Sequence, residues 1–222
     1  LPVNFFIAII LYWLANSLPA IVLESLAGNK KIAVAGDEAD GRELAFTELV
    51  KEFKNRKKNY TYTFNHETNL VEIAEIKAPR LTKNKAQLVE VTLDDGQKMQ
   101  CTPDHRFMLR DGNYCEAQNL KTGESLMPVY FRLSTKEDDK QAVGYRMIWQ
   151  PIKNVWDWAH RLADDFNLRT GKYKNSAGRV RHHLDFNKLN NSPDNIQRMQ
   201  WADHWKLHYQ LASKRHKDDP EY

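Results

Sequence analysis

Cysteine is scarce in this chain of 222 residues, which contains only Cys101 and Cys115. Two cysteines cannot form the disulfide framework of a small secreted protein, and no Cys-x-x-Cys spacing suggests a cysteine zinc site. Such sparse use is typical of a reducing cytoplasm, where we expect the protein to be located. Stretches of low complexity are also missing, and aromatic residues make up 11% of the chain. A folded protein is therefore expected rather than a disordered one.

Charge is absent from the first 23 residues, LPVNFFIAIILYWLANSLPAIVL. A membrane span is the first possibility, but the strongly apolar core, FFIAIILYWL, is shorter than the roughly 20 residues that cross a bilayer. Asn16, Ser17 and Pro19 interrupt the segment after this core, and no basic segment precedes it as in a secretory signal. A buried helix or strand pair is expected here, with a membrane anchor as the alternative. The chain starts without Met, which is consistent with a fragment.

The excess of positive charge lies in the last third of the chain. Residues 151–222 contain 13 Lys and Arg against 9 Asp and Glu, whereas the preceding residues are balanced at 20 against 20. Most of the histidines lie in the same third: His160, His182, His183, His204, His208 and His216. This asymmetry suggests a C-terminal unit that contacts phosphate or holds a metal.

Alternating apolar and polar residues between 60 and 117 predict an antiparallel β unit. Two of its turns contain Asp-Gly, a strong hairpin signal, because glycine adopts a positive φ without steric cost. Three hairpins are predicted: YTYTF with LVEI (60–73), VEVTL with QKMQC (89–101) and FMLR with YCEA (107–117). A short helix is predicted over FTELVKEFK (46–54), with Leu49, Val50 and Phe53 on one face.

The pattern changes after residue 128, where the polar segment FRLSTKEDDKQ (131–141) suggests a linker. Beyond it a helical stripe is predicted, formed by Val155, Ala159, Leu162, Ala163 and Phe166. VRHHL (180–184) is predicted to form a strand. Ser192-Pro193 is typical of a helix start, and this second helix is predicted to continue through WADHWKLHYQL (201–211).

Histidines on this strand and helix form a candidate metal site. His204 and His208 are four residues apart, so both imidazoles would lie on one helix face within reach of one ion. Neighbouring strand residues point to opposite faces, so His182 and His183 would divide into one ligand and one general base. The spacing does not settle which is which. Three histidine ligands suit a zinc-like ion as well as Mg2+, so the metal also stays open.

The run RHHLDFNKLNNSPDNIQ, with the two histidines that follow it, resembles the HNH endonuclease motif of phage and intein-borne enzymes over roughly residues 140–216. Ala-His-Arg at 159–161 is similar to the Glu-His-Arg that often opens that domain. The resemblance implies that His183 is the general base and that His182, His204 and His208 bind one divalent cation. It further implies that loop residues brace the base and that basic residues contact double-stranded DNA: Asn191 and Asn195 for the loop, and Arg161, Arg179, Arg181 and Lys188 for the DNA.

Residues 89–128, VEVTLDDGQKMQCTPDHRFMLRDGNYCEAQNLKTGESLMP, resemble the Hint fold of inteins, and SLAGNKKIAV from Ser25 is similar to the first intein block. The resemblance implies an N-to-O acyl shift in which Ser25 attacks the carbonyl of Glu24. His105 would protonate the departing amide nitrogen. Thr102 would hold or twist the peptide, and Asp104 would orient either His105 or the attacking group.

Together these resemblances imply a homing intein with four segments. Residues 1–24 would flank it as part of a host protein joined in cis, 25–130 would form a horseshoe-like antiparallel β Hint domain, and 131–150 a linker. Residues 151–222 would form an α+β HNH domain of the ββα-metal type. Most relatives begin with Cys rather than Ser25, so either the chain uses the ester route or this step is slow or disabled. The closing His-Asn block is absent, so the chain is expected to be either truncated or one half of a split pair, with a C-terminal intein half as a further partner in the second case.

Two other hypotheses remain open. The chain could be a stand-alone HNH nuclease whose Hint-like domain has decayed into a structural or DNA-binding module. It could also be a membrane-tethered binding protein without enzymatic activity, although that hypothesis leaves the histidine spacing unexplained.

Overall fold

The structure is a computed structural model that describes residues 31–36, 42–80 and 86–218. Its strands are β1 (Lys31–Val34), β2 (Arg42–Ala45), β3 (Tyr60–Asn65), β4 (Leu70–Glu75), β5 (Val89–Thr92), β6 (Lys98–Cys101), β7 (Arg106–Met108), β8 (Tyr114–Glu116), β9 (Phe131–Leu133), β10 (Arg146–Gln150), β11 (Val155–Trp158), β12 (Val180–His183) and β13 (Ile196–Met199). Its α-helices are α1 (Phe46–Lys54), α2 (Ala159–Arg169) and α3 (Trp201–Asp218). The mainly antiparallel β architecture expected for the first part of the chain is confirmed in the described residues.

A four-stranded antiparallel sheet, in the order β2-β1-β3-β4, forms the centre of the N-terminal part. Its β3–β4 hairpin pairs Tyr60 with Glu75 at one end and Asn65 with Leu70 at the other. The Asn65 side chain accepts a hydrogen bond from the backbone N–H of Glu67 at 2.8 Å, which closes the turn. The hairpin predicted over residues 60–73 is therefore confirmed.

Two smaller hairpins, β5–β6 and β7–β8, follow as predicted. They pair Val89 with Cys101 and Arg106 with Glu116. Gly96 (φ +83°) and Gly112 (φ +89°) supply the left-handed backbone conformation in the two turns. An L side chain rarely adopts this conformation, which explains why Asp-Gly marked both turns in the sequence.

Helix α1 covers the residues predicted for it. Phe46 and Leu49 are buried, whereas Phe53, which the sequence places on the same face as Leu49, is 45% exposed. Phe53 lies in the last turn of a nine-residue helix, where Lys51 and Lys54 are exposed as well. The core-facing stripe is consequently shorter than the sequence pattern indicates.

A second sheet, in the order β11-β10-β9, lies where the sequence suggests a linker and the start of a helix. The range 131–150 contains β9 and β10, although the boundaries proposed for the domains stay a prediction. Val155 was expected in the helical stripe, but it lies in β11 opposite Gln150 and is 48% exposed. The run VWDW favours a strand because Val and Trp pack well on a pleated surface, and α2 begins only at Ala159.

The C-terminal part has the order strand, strand, helix. β12 occupies the predicted residues and pairs with β13, with His183 opposite Ile196. The helix predicted from Ser192 onward is wrong at its start. Pro193–Asn195 forms one 3₁₀ turn, β13 follows, and α3 begins at Trp201. Ile196 is completely buried, so tertiary packing favours the strand over a continued helix.

One hydrophobic core joins the N-terminal sheet to the C-terminal part. The Tyr60 and Phe166 rings meet edge to face with their centroids 5.3 Å apart. The buried Gln150 side chain accepts from the Val71 N–H at 2.7 Å and donates to the Val71 carbonyl at 3.0 Å. Arg169 forms an ion pair with Glu72 on the adjacent surface. The N-terminal β unit and the histidine-rich C-terminal part are thus packed against each other and share one hydrophobic core.

Within the described ranges, no helix combines the length and the apolar character needed to cross a membrane. The apolar stretch at residues 5–14 lies outside these ranges, and so does Ser25.

Candidate functional site

The Thr-Pro-Asp-His segment is a tight turn between β6 and β7. The backbone N–H of His105 donates to the carbonyl of Thr102 at 3.0 Å. The segment is also fixed from outside, because Ala117 N–H donates to the His105 carbonyl at 2.7 Å and Gln118 N–H to the Pro103 carbonyl at 3.0 Å. These hydrogen bonds satisfy backbone groups within the turn and on its outer side, so they hold the backbone of the turn in place.

The His105 side chain is buried at 8% exposure, next to the equally buried Thr102. Its Nε2 atom is buried and has no hydrogen-bond partner among the described residues. Burial lowers the pKa of His105 to about 4, although the nearby Asp104 carboxylate raises it in part. A buried polar atom without a partner costs about 1–3 kcal/mol, so such an atom calls for an explanation, and a catalytic role is one.

The four predicted site residues of the β unit have different outcomes. Thr102 and His105 come together on one turn, and Asp104 lies on the same turn with an exposed side chain. Ser25, the predicted nucleophile, lies outside the described residues.

The predicted metal ligands His182, His204 and His208 form one cluster. One ring nitrogen from each lies within 4.8 Å of the other two. β12 contributes His182, and α3 presents the other two one turn apart, with their ring centroids separated by 4.4 Å. His182 is buried, His204 is half-buried and His208 is exposed. The cluster is therefore closed on one side and open to solvent on the other.

The electrostatics of this cluster favour neutral imidazoles. Burial, and after it the neighbouring histidines, lower the pKa of His182 and of His204. A neutral imidazole offers a lone pair to a metal, whereas a protonated one cannot bind it. The set matches the ligands that zinc and other borderline metals accept, and the exposed side leaves room for further ligands.

His183 faces away from the cluster, as expected for the neighbour of His182 in a strand. Its ring lies 6.0 Å from that of His160 and 6.1 Å from that of Tyr145. Its Nε2 lies 3.3 Å from the side-chain oxygen of Asn191, which assigns the proton to Nε2 and leaves Nδ1 as the basic atom. Burial lowers the pKa of His183, and the Asn191 contact opposes this shift.

The two predicted loop-bracing residues make different contacts. Asn191 is almost completely buried and contacts His183 directly. Asn195 holds the loop itself, because its side chain donates to Asp185 Oδ1 at 2.8 Å and to the Asn190 carbonyl at 2.9 Å. One asparagine thus orients the ring, and the other fixes the segment from which the first projects.

The four basic residues predicted to contact DNA do not form one set. Arg161 and Arg179 are exposed, and the Arg161 guanidinium lies 5.9 Å from the Trp158 ring. Lys188 is exposed but donates to the Val143 carbonyl at 2.9 Å. Arg181 is engaged in an ion pair with the fully buried Asp164, with Nε to Oδ2 at 2.7 Å.

Asp164 joins α2 to the β12–β13 hairpin and was not identified from the sequence. Arg181 contacts one of its oxygens, Arg198 contacts both at 2.7 Å, and the Tyr173 hydroxyl donates to it at 2.9 Å. Burial raises the pKa of Asp164, but the donors from Arg198, Arg181 and Tyr173 outweigh it and hold the pKa below its usual value. The hairpin that carries His182 and His183 is anchored here.

Replacing Asp164 by asparagine is expected to destabilise the fold by about 3–5 kcal/mol, because two arginines lose the charge that compensates them. A lowered midpoint in urea denaturation would show this. Asp165→Asn is the matched control, since Asp165 is the next residue on α2 and is exposed; its effect should stay within about 0.5 kcal/mol. Equal midpoints for the two variants would contradict the anchoring role.

His160 is a second residue near the site that was not assigned a role from the sequence. Its ring contacts those of His183, Tyr145 and Trp158, at centroid distances of 6.0, 5.6 and 5.8 Å. A lone histidine in a helix is usually an ordinary core or surface residue, so sequence spacing alone could not place it beside His183.

Comparisons with known proteins identify one family. The model of the family described as the intein splicing domain matches residues 38–217. A DNA gyrase subunit from Synechocystis is 42% identical over 176 residues, which are 79% of this chain and 16% of that protein. The replication factor C small subunit from Methanocaldococcus jannaschii is 26% identical over 135 residues, 60% of this chain and 7% of that protein. The chain thus spans less than a fifth of either relative.

Among solved structures, the chain is similar to a crystal structure of a DnaB intein from Synechocystis. The TM-score is 0.34 and the identity 18%, over 56% of this chain and 75% of that one. This likeness is too low to add to the family match.

Proposed function

The chain belongs to the intein splicing domain family, and from this membership we infer that its β unit carries out the first step of protein splicing on a host polypeptide joined in cis. The single observation that supports a working site is the buried, unpaired Nε2 atom of His105 on the Thr102–His105 turn.

The proposed step is an N-to-O acyl shift at Glu24-Ser25. The Ser25 hydroxyl oxygen attacks the carbonyl carbon of Glu24, the C–N bond breaks, and an ester forms as the amide nitrogen gains the proton that the hydroxyl loses. His105 is neutral near pH 7 because its pKa is about 4, so it acts over this bond as a relay: the ring takes up the proton that the Ser25 hydroxyl loses and delivers a proton to the amide nitrogen. Thr102 holds the peptide. Asp104 lies close enough to raise the pKa of His105, which supports an orienting role for its carboxylate.

Hydroxylamine tests this step on the full chain, because it cleaves an ester far faster than a peptide bond. A working acyl shift releases a fragment of residues 1–24 that ends in a hydroxamate. Absence of that fragment would favour the alternative in which the β unit has decayed and serves only as a structural module.

A second function, metal-dependent cleavage of double-stranded DNA by an HNH-type site, is proposed for the C-terminal part. The observation that favours it is the cluster of His182, His204 and His208, whose ring nitrogens converge within 4.8 Å. The strand–strand–helix order of β12, β13 and α3, with His183 on the face opposite His182, agrees with the ββα-metal arrangement.

The residues present fit one divalent cation, either Mg2+ or a zinc-like ion. His182, His204 and His208 would hold it, and its charge would stabilise the negative charge that develops on the phosphate and the leaving oxygen. His183 would take a proton from the attacking water through Nδ1, while Asn191 keeps its Nε2–H oriented. Of the four basic residues predicted to contact DNA, Arg161 and Arg179 are the exposed arginines, and their contacts with the phosphate backbone should make binding weaken with salt.

Metal binding can be measured without any activity. Titrating Zn2+ or Mn2+ into the chelator-treated full chain should show one bound ion per chain. The affinity should fall by roughly 10-fold or more for His204→Ala, since loss of even an outer partner of a ligand has an effect of that size. His66→Ala is the matched control, because His66 lies in the β3–β4 turn. An unchanged affinity in His204→Ala would contradict the ligand assignment.

A further inference from the structure

His160 lies at the proposed nuclease site in a position that neither the metal cluster nor the general base explains. It is the second residue of α2, and its ring forms one wall of a group of aromatic rings that includes Tyr145, Trp158 and His183. The Lys188 ammonium lies 5.6 Å above the Tyr145 ring in the same group. The imidazole therefore shares its surroundings with the base and with a cation suited to phosphate.

The two nitrogens of His160 have unequal surroundings. Nδ1 is buried and has no hydrogen-bond partner among the described residues, whereas Nε2 is not enclosed in this way. A buried N–H without a partner is rarer and more costly than an acceptor without a partner. The neutral ring therefore carries its proton on Nε2, which is the nitrogen on the more open side.

The charge state of His160 restricts what it can do. Burial, and after it the charges of His183, Arg181 and Arg161, lower the pKa of His160 to about 3. An imidazole with this pKa is neutral at physiological pH, so it neither gives up a full proton as an acid nor competes with His183 as a base. What remains is hydrogen-bond donation from a fixed N–H.

We propose that His160 is a further catalytic residue of the nuclease site, whose Nε2–H donates a hydrogen bond to a non-bridging oxygen of the scissile phosphate. The inference rests on the proposed DNA cleavage. The water oxygen forms a bond to phosphorus as His183 Nδ1 takes its proton, and the bond from phosphorus to the leaving oxygen breaks with its electron pair on that oxygen. The non-bridging oxygens gain negative charge during this step, so a donor preoriented toward one of them stabilises the transition state more than the ground state.

Three substitutions of His160 distinguish the loss of its hydrogen bond to the phosphate from the loss of its packing. Glutamine places an amide N–H near the position of Nε2, asparagine places one near that of Nδ1, and phenylalanine keeps a ring without any donor. Single-turnover cleavage of a plasmid should fall about 10²–10³-fold in His160→Phe and His160→Asn. His160→Gln should retain most of the wild-type rate. The dissociation constant for DNA, measured with Ca2+ in place of a catalytic ion, and the bound metal content should stay unchanged in all three.

The outcomes separate this inference from the function on which it rests. If the wild-type chain does not cleave DNA with any divalent cation, the proposed nuclease function fails. If the wild type cleaves and His160→Phe cleaves as fast, or if His160→Gln is as slow as His160→Phe, the donor role is overturned while the nuclease function stands. A urea midpoint that falls in proportion to the lost rate would assign His160 a structural role instead.

Discussion

Replacing His183 by alanine is expected to lower the rate of DNA cleavage by about 10²–10⁴-fold, which is the usual contribution of a general base. The physical reason is that His183 is buried beside Asn191, which holds its Nε2–H and leaves Nδ1 as an acceptor for the water proton. The measurement is single-turnover cleavage of supercoiled plasmid with a saturating divalent cation.

The His183→Ala variant also separates the base from the ligand beside it. Because His182, His204 and His208 are intact, the variant should bind the cation with wild-type affinity, whereas His182→Ala should lose affinity. Added imidazole should restore part of the His183→Ala rate if a base is missing, and it should not if the loop has collapsed. A normal cleavage rate in His183→Ala would show that the base assignment is wrong.

Replacing His105 by alanine is expected to slow hydroxylamine-induced cleavage at Glu24-Ser25 by about 10²-fold or more, because proton delivery to the amide nitrogen is lost. Release of the fragment 1–24 can be followed by mass spectrometry. His66→Ala is the matched control, since it removes a histidine from the same β unit at the exposed β3–β4 turn. Equal rates in the wild type and His105→Ala would remove His105 from the site.

His105→Ala is also expected to change how the free energy of unfolding depends on pH. The pKa of His105 is about 4 in the folded protein, below the roughly 6.5 of an unfolded chain. As the pH falls, the unfolded chain therefore protonates His105 at a higher pH than the folded protein does. The stability that the neutral ring provides is complete above pH 6.5, decreases as the pH falls, and is lost below about pH 4. The difference in unfolding free energy between wild type and His105→Ala should shrink by up to roughly 3 kcal/mol across this window. A constant difference would mean that His105 titrates normally.

The close packing of the two units bears on how these variants are interpreted. The Tyr60 hydroxyl of β3 donates a hydrogen bond to Asp194, in the 3₁₀ turn before β13, at 3.0 Å. The Gln150 side chain is hydrogen-bonded to both the N–H and the carbonyl of Val71. A strongly destabilising change in one unit will therefore reach the other through the shared core. Variants that remove a functional group and keep most of the side-chain volume, such as His160→Phe, are more informative than truncation of either unit.

The amino-acid sequence by itself determined the hairpins, α1, β12 and the membership of the cluster of His182, His204 and His208. Alternation with Asp-Gly turns is a local signal, because each strand residue and each positive φ is imposed by its neighbours in the chain. The spacing of His204 and His208 is local in the same sense, since one helical turn brings them together. Their convergence with His182 was indicated by the resemblance, and the structure brings the three rings together.

Only the tertiary structure decided where β11, β13 and the residues around His183 lie. The helical pattern beginning at Val155 and the helix start at Ser192-Pro193 were overridden, because β11 pairs with β10 and β13 pairs with β12. In β13 this pairing accompanies complete burial of Ile196. Asp164 with its two arginines, and His160 beside His183, are far apart in sequence. Burial and contacts between distant segments are cooperative properties of the whole fold, so no local pattern could have paired these residues.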